Sequence, residues 1–357
     1  MNSFERLNQI DRNFAVKTNI GKSDIRFYNV LETPFCIHGV FYENGKFRRM
    51  PERVANNVSE GVRALHTHTA GGRIRFRTDS PYVAIHVKMS EVGRMPHFAL
   101  CGSAGFDLYV GNDYYASFIP PVDMTGGYES VLDFAACEMR DIMIHFPLYS
   151  NVDVFYIGLA KDASVQAPLP YKIGQPIVYY GSSITQGGCA SRPGTAYQGF
   201  VSRALDADFI NLGFSGNARA EDEMAEYIST LSMSVFVYDY DHNAPGIEHL
   251  ASTHEKLFLK VREKHPDLPV IMMSRPKLCL NGEELARLEI IKTTYQNALA
   301  RGDRNVYLID GRDLMRVAGH EGTVDACHPT DLGFFSMAQE LLGVLKPFYD
   351  RKEGNCL

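Results

Sequence analysis

Pro176-Ile177-Val178-Tyr179-Tyr180-Gly181-Ser182-Ser183-Ile184-Thr185 is the stretch on which the reading of this chain turns. Ile177 to Tyr180 is a short apolar run, β-branched then aromatic, that stops at Gly181. Such a run reads as a buried parallel strand ending in a tight turn. Ser183 follows two residues later. In open α/β sheets reactive groups collect just beyond the carboxyl ends of strands, so Ser183 stands where a nucleophile would be expected. A serine in an ordinary strand-to-helix loop is the plain alternative, and the rest of the chain has to decide between them.

Working forward, strands and helices alternate. Predicted strands are 177–180, 209–212, 235–240, 270–273 and 306–309. Predicted helices are 196–205, 221–231, 247–264, 283–300 and 335–349. Short, fully apolar strands joined by helices imply a parallel sheet covered on both faces. Right-handed crossovers make that a doubly wound, flavodoxin-like three-layer α/β/α domain.

Working backward, the rhythm changes. Residues 161–175 are rich in Pro and small polar residues and mark a domain boundary. Ahead of it the candidates are all strands: 25–30, 35–41, 73–77, 82–89, 106–110, 142–146 and 152–159. Helical periodicity is scarce. Many short strands at fairly regular spacing predict an antiparallel β-sandwich of jelly-roll type. The expected layout is thus a sandwich over 1–165 and an α/β domain over 170–357. In the sandwich, Arg73, Arg75 and Arg77 alternate with Ile74 and Phe76. The arginines are expected on the wet face of a sheet. His66 and His68 share strand spacing and are read as two histidines on a solvated face, since no third ligand lies near them in sequence.

Bulk composition narrows the function. Hydrophobic residues make up 45% and charged residues 22%, an ordinary globular balance. With 36 basic against 42 acidic residues and a net charge of -6, no polyanion partner is expected, so nucleic acid is excluded as a ligand class. No apolar run approaches the ~20 residues that span a bilayer, so no membrane partner is expected. The seven cysteines are dispersed without a C-x-x-C pair, which points to reduced thiols. The charged N-terminus, Met1 to Arg12, lacks the apolar core of a signal peptide. The expectation from these features is a cytoplasmic location. No dinucleotide fingerprint, phosphate loop or three-ligand metal spacing is found. No cofactor and no metal are expected. Homo-oligomerisation is left open.

The strand ends carry the chemistry. After the first comes Gly181-Ser182-Ser183, and after the second Asn211-Leu212-Gly213-Phe214-Ser215-Gly216-Asn217. After the third comes Asp239-Tyr240-Asp241-His242-Asn243, and beyond the fifth Asp325-Ala326-Cys327-His328. A serine hydroxyl needs a base, and His328 can supply it. The imidazole needs a partner to fix its tautomer, and Asp325 is three residues away. Attack on an ester makes an oxyanion. The N–H groups of Ser183 and Gly216 and the amide of Asn243 can meet it. His242 and Arg275 would face the same edge as substrate-binding residues, with a structural clamp between Arg275 and Asp239 or Asp241 as the competing reading. Cys189 and Cys327 flank the site and are read as bystander thiols.

These four blocks resemble those of the SGNH, or GDSL-like, hydrolases. Carried over, the resemblance implies a triad of Ser183, Asp325 and His328, and an oxyanion hole of Ser183, Gly216 and Asn243. Two positions depart from the pattern. Ser182 stands where the family has aspartate, which leaves open which serine attacks, with Ser183 favoured by register. Ala244 stands where aspartate often follows the block-three asparagine. Gly105-Phe106-Asp107-Leu108-Tyr109 looks like the GxDLY signature of a β-sandwich that precedes such domains. The two-domain layout is similar to that of bacterial carbohydrate O-acetyl esterases. The implied activity is a serine esterase acting on small acyl groups, with an acetylated oligosaccharide as substrate. A lipase, lysophospholipase or thioesterase, or a non-catalytic carbohydrate-binding homologue, is the alternative.

Overall fold

The computed structural model describes residues 20–354. The charged N-terminal stretch discussed above lies outside the described residues. Among the described residues, twelve strands occupy the first half: β1 Ile25–Asn29, β2 Cys36–His38, β3 Phe41–Glu43, β4 Lys46–Arg48, β5 Arg73–Thr78, β6 Tyr82–Lys88, β7 Phe106–Val110, β8 Asp113–Phe118, β9 Gly127–Asp133, β10 Arg140–His145, β11 Val154–Ala160 and β12 Val165–Gln166. They build two antiparallel sheets, ordered β1-β11-β6-β9 and β12-β5-β10-β7-β8. β2 is added beside β5, and β3-β4 forms a separate hairpin. Ile74, Phe76, Leu108 and Ile144 of one sheet meet Val83, Ile85, Phe155 and Ile157 of the other in one buried core. This is a sandwich, because alternate residues of each strand face its partner sheet.

The second half holds β13 Ile173–Gly181, β14 Ala207–Gly213, β15 Val235–Asp239, β16 Val270–Met273 and β17 Val306–Ile309. All pairings are parallel, in the order β14-β13-β15-β16-β17. Alternation along β13 divides the core in two. Val178 and Tyr180 pack with Met224, Leu257 and Ile291 beneath the helices Asp222–Thr230, Ile247–Lys264 and Gly282–Ala300. Ile177 and Tyr179 pack with Val201, Met337 and Leu341 beneath the helices Tyr197–Leu205 and Asp331–Gly354. Three α/β/α layers result. The chain leaves β13 in one direction and β15 in the other, so the sheet's switch point falls between them. Ser183 lies just past β13, at that crevice.

Several details differ from the sequence reading. β13 starts at Ile173, inside the Pro-rich stretch, and runs through Pro176 with a register irregularity after Ile173. The predicted strand 35–41 is split by Gly39, which has φ +72°. β8 escapes the pattern because the exposed Tyr114 and Tyr115 break its apolar alternation, and β9 escapes it because Ser130 takes a buried position on its inward face. Helices Glu52–Val58 and Glu60–Leu65 also escape it. Ala55 and Val62 insert into the core beneath Asp222–Thr230, so this segment of the first half packs as part of the α/β layers.

The arginine row is not a wet face. Arg73 is fully buried and donates to Asp208 at the start of β14. Arg75 stacks over Tyr171 at 3.9 Å. Arg73 and Arg75 instead line the junction between the two halves, while Arg77 stays half-buried beside Asp141. His66 and His68 are also buried, in the turn after Glu60–Leu65 rather than on a strand. His66 meets Arg48 and the carbonyl of Arg63, and His68 meets Gln186.

Candidate active site

The turn after β13 is shaped by a close approach. A Cβ at Gly181 would lie 1.7 Å from Asp239 Oδ1 at the end of β15, so only glycine lets the two strand ends meet. Ser182 is fully buried and caps the short helix Ser183–Gln186, its Oγ accepting the N–H of Ile184 at 3.2 Å. Ser183 is the next residue, half-buried, and its Oγ lies 2.9 Å from His328 Nε2. The two serines therefore have different jobs: one hydroxyl is spent on the cap and the other faces the imidazole.

His328 Nδ1 sits 2.7 Å from Asp325 Oδ2. Asp325 Oδ1 also accepts the backbone N–H groups of Cys327 at 3.0 Å and His328 at 2.7 Å. Partial burial alone would raise the Asp325 carboxyl. The bonds from the His328 backbone and ring, and the charge the ring can carry, outweigh it and hold the pKa below the usual carboxylate range. Three residues of chain thus suffice to set tautomer and ring orientation together.

The other oxyanion candidates lie on the loops after β14 and β15, which are tied to the serine helix and to each other. Gly216 adopts φ +70°, a left-handed geometry that glycine takes without penalty. Its neighbours are fixed: Ser215 N–H donates to Gln186 Oε1 at 2.9 Å and Asn217 N–H to the Phe214 carbonyl at 2.8 Å. Among the described residues no protein acceptor takes the N–H of Ser183 or Gly216. Asn243 accepts the N–H of Ala218 on Oδ1 at 3.2 Å, which leaves its NH₂ as the end free to donate.

Around this set lie residues that sequence reasoning passed over. Gln186 is fully buried and ties three segments: Ser215 through Oε1, and His68 and the Leu148 carbonyl, each at 3.2 Å, through Nε2. Tyr149 donates to the Ser183 carbonyl at 3.1 Å. His97, on the loop after β6, brings Nε2 to 3.9 Å from Asp325 Oδ2, and its ring to 5.7 Å from that of His328. The sandwich therefore lends side chains to this edge. Nothing in the local sequence around His97 or Tyr149 signals it, because the contact depends on how the halves dock.

Asp239 is buried, accepts from Thr185 Oγ1, and leaves Oδ2 unpaired. Burial, opposed by the Thr185 bond and reinforced by Asp241, pushes its pKa up to about 8. His242 is pushed down to about 4, mainly by burial, and its Nε2 has no partner. Arg275 is committed to the clamp: Nε donates to Asp241 Oδ2 and Nη1 to Glu284 Oε1, both at 3.1 Å. Burial, aided by Asp325 and Cys327, pushes the Cys189 thiol up to about 12. Cys327 is raised as well, again chiefly by burial. Both thiols are thus biased toward the protonated form, which disfavours either as a nucleophile.

The GxDLY segment has a visible task. Asp107 is fully buried and pairs with His145 at 2.9 Å. It accepts the N–H of Gly194 at 2.8 Å and Arg192 Nη1 at 3.3 Å. That anchors the loop that follows the serine helix. Asp331, at the start of the last helix, holds the same loop from the other side through Ser191 and Thr195.

A hydroxyl, an imidazole and a carboxylate thus stand in line at the switch point of a doubly wound α/β/α domain, the arrangement a serine hydrolase requires. Residues 174–346 match the GDSL-like lipase/acylhydrolase family, and residues 25–165 match GxDLY, the N-terminus of SGNH-hydrolase-type esterases. The chain thus carries a GDSL-like (SGNH) hydrolase domain behind a GxDLY domain. Among solved structures it is similar to a protein described as a GDSL-like lipase from Bacteroides ovatus, with 28% identity, TM-score 0.82, and 91% of this chain and 98% of that one covered. It shares its fold with the salicylyl-acyltransferase SsfX3 of a tetracycline biosynthetic pathway, with 18% identity, TM-score 0.77 and 92% and 98% covered. The fold also matches the acetyl xylan esterase Est2A of the rumen bacterium Butyrivibrio proteoclasticus, with 13% identity, TM-score 0.60 and 92% and 99% covered. No curated protein sequence matches the chain.

Proposed function

We propose that the protein is a serine esterase that removes small acyl groups, acetyl foremost, from carbohydrate. The observation that carries this reading is the unbroken line from Ser183 Oγ through His328 to Asp325, at 2.9 and 2.7 Å. In the proposed reaction His328 Nε2 takes the proton of Ser183 as its oxygen attacks the ester carbonyl. The N–H groups of Ser183 and Gly216 and the NH₂ of Asn243 meet the oxyanion, each worth on the order of 10²–10³ in rate. His328 then protonates the departing sugar hydroxyl. Water repeats the cycle on the acyl-serine. Asp325 stays ionised throughout, stabilising the imidazolium.

A polar, bulky alcohol is favoured by the exposure of the base. The side chains of His328 and Asp325 are 24% and 34% accessible, so the leaving-group side opens to solvent rather than into an apolar channel. The shared layout with an acetyl xylan esterase points the same way. Acetate release from acetylated xylan, mannan and simple acetyl sugars tests the proposal, with p-nitrophenyl esters of rising chain length alongside. Acetyl esters should be preferred. A preference for chains of about eight carbons would support a lipase or thioesterase instead. Failure of a fluorophosphonate to label Ser183 would support a non-catalytic binding protein.

A further inference from the structure

Three side chains from three separate segments meet beside the candidate base. His97 comes from the sandwich loop, Cys189 from the loop after the serine helix, and His328 from the final turn. Their ligand atoms all lie within 4.8 Å of one another. We propose that His97, Cys189 and His328 form a binding site for zinc, and that its occupation switches the hydrolase off.

Two imidazoles and one thiolate are a donor set that suits a borderline-soft cation and leaves a fourth position for water. The geometry is largely prepared. Cys189 is a non-glycine residue held at φ +76°, a conformation uncommon for such a side chain. The preceding turn is pinned by the Gly188 N–H on the Ser183 carbonyl at 2.8 Å, and the following one by the Ala190 N–H on the Gly187 carbonyl at 3.2 Å. His97 is 37% accessible at its side chain, so an ion can reach the cluster from solvent. As the zinc–sulfur bond forms, the thiol proton passes to solvent.

Inhibition follows whichever nitrogen of His328 binds. Coordination through Nε2 takes the lone pair that must accept the Ser183 proton. Coordination through Nδ1 displaces Asp325 and leaves the remaining ring proton on Nε2, again removing the base. The inhibitory consequence rests on the esterase reading; the binding does not.

The test uses the full chain and two chloride salts. Cobalt(II), the spectroscopic stand-in for zinc, should give a near-ultraviolet sulfur-to-metal charge-transfer band that saturates at one equivalent. Calorimetric titration with zinc should give the same stoichiometry. Cys189→Ser should abolish the band, and His97→Ala should weaken zinc binding by more than about tenfold, since loss of mere outer partners already costs that much. Ser183→Ala should keep the band, which checks the site even in an inactive protein. Zinc should inhibit ester hydrolysis reversibly by chelator, and Cys189→Ser should lose that sensitivity. No band, or a band unchanged in Cys189→Ser, would overturn the site. Zinc bound at one equivalent with ester hydrolysis unaffected would overturn the switch. A band in a protein without esterase activity would sink the esterase reading and leave the site standing.

Discussion

At the scale of single residues the two adjacent serines are separated by what their hydroxyls touch. Ser182 closes a helix N-terminus, and an alanine there should cost about 1 kcal/mol of stability, read from the urea midpoint, while hydrolysis stays within about tenfold. Ser183→Ala should cut kcat by on the order of 10⁴-fold or more, because the remaining groups cannot form an acyl-enzyme. A fluorophosphonate adduct mapped by mass spectrometry should sit on Ser183 in both the wild type and Ser182→Ala. Asp239 gives a second test at this scale. Its folded-state pKa of about 8 lies above that of an unfolded aspartate. Between pH ~4 and ~8 the folded state therefore holds more protons than the unfolded one, and this group lowers stability as pH rises, by about 1.4 kcal/mol per pH unit. Asp239→Asn removes that slope. The variant should match the wild type near the acid end and exceed it near the alkaline end, in denaturant titrations run across the window.

At the scale of elements the parallel strands and long helices were legible in the sequence, because each of β13 to β17 has a mostly apolar, buried or half-buried centre and the helices between them keep a buried stripe. Ser183, His328 and Asp325 were legible for the same reason: each follows an element whose end is marked by Gly181, by the last apolar strand, or by a D-x-x-H turn. The helices at Glu52–Leu65 were not, since each is too short to show a helical period and the partner helix lies over 150 residues away. The burial of Arg73 was not either, because strict alternation gives the same signal for a face turned to water and one turned to another domain. Gln186 belongs to this hidden class, as one amide bridging the serine helix, the sandwich and the Ser215–Gly216 loop. Gln186→Leu should strand the Ser215 N–H at a stability cost of about 1–3 kcal/mol. It should also lower kcat about tenfold with KM little changed, because the loop carrying Gly216 loses its tether to the serine helix. Rescue by Gln186→Glu should be poor, since a carboxylate offers no N–H to the Leu148 carbonyl.

At the scale of the whole molecule, charged groups buried between the two halves should bind them into one cooperative unit. Arg73 is fully enclosed. It lies 3.7 Å over the Phe209 ring, donates to the Phe209 carbonyl at 3.1 Å, and pairs with Asp208, which His38 also meets at 2.9 Å. Burial alone would raise the Asp208 carboxyl, but the His38 bond and the Arg73 charge hold it low, so it is ionised at neutral pH. Arg49 crosses the same junction, donating to the carbonyls of Asn211 and Gly213 on β14. Taking these cations out of water is tolerable only while their partners remain. Asp208→Ala leaves the Arg73 charge enclosed without its carboxylate and should destabilise the protein by about 3–5 kcal/mol. Arg73→Met in the same chain removes the stranded charge, and the double variant should recover a large part of that loss, a coupling that a double-mutant cycle reads directly. In each variant both halves should unfold in one transition, followed together by near-ultraviolet and far-ultraviolet circular dichroism. Two resolved transitions in the wild type would mean that the junction does not bind the halves into one cooperative unit, and His97 would then reach the candidate active site only by loose docking.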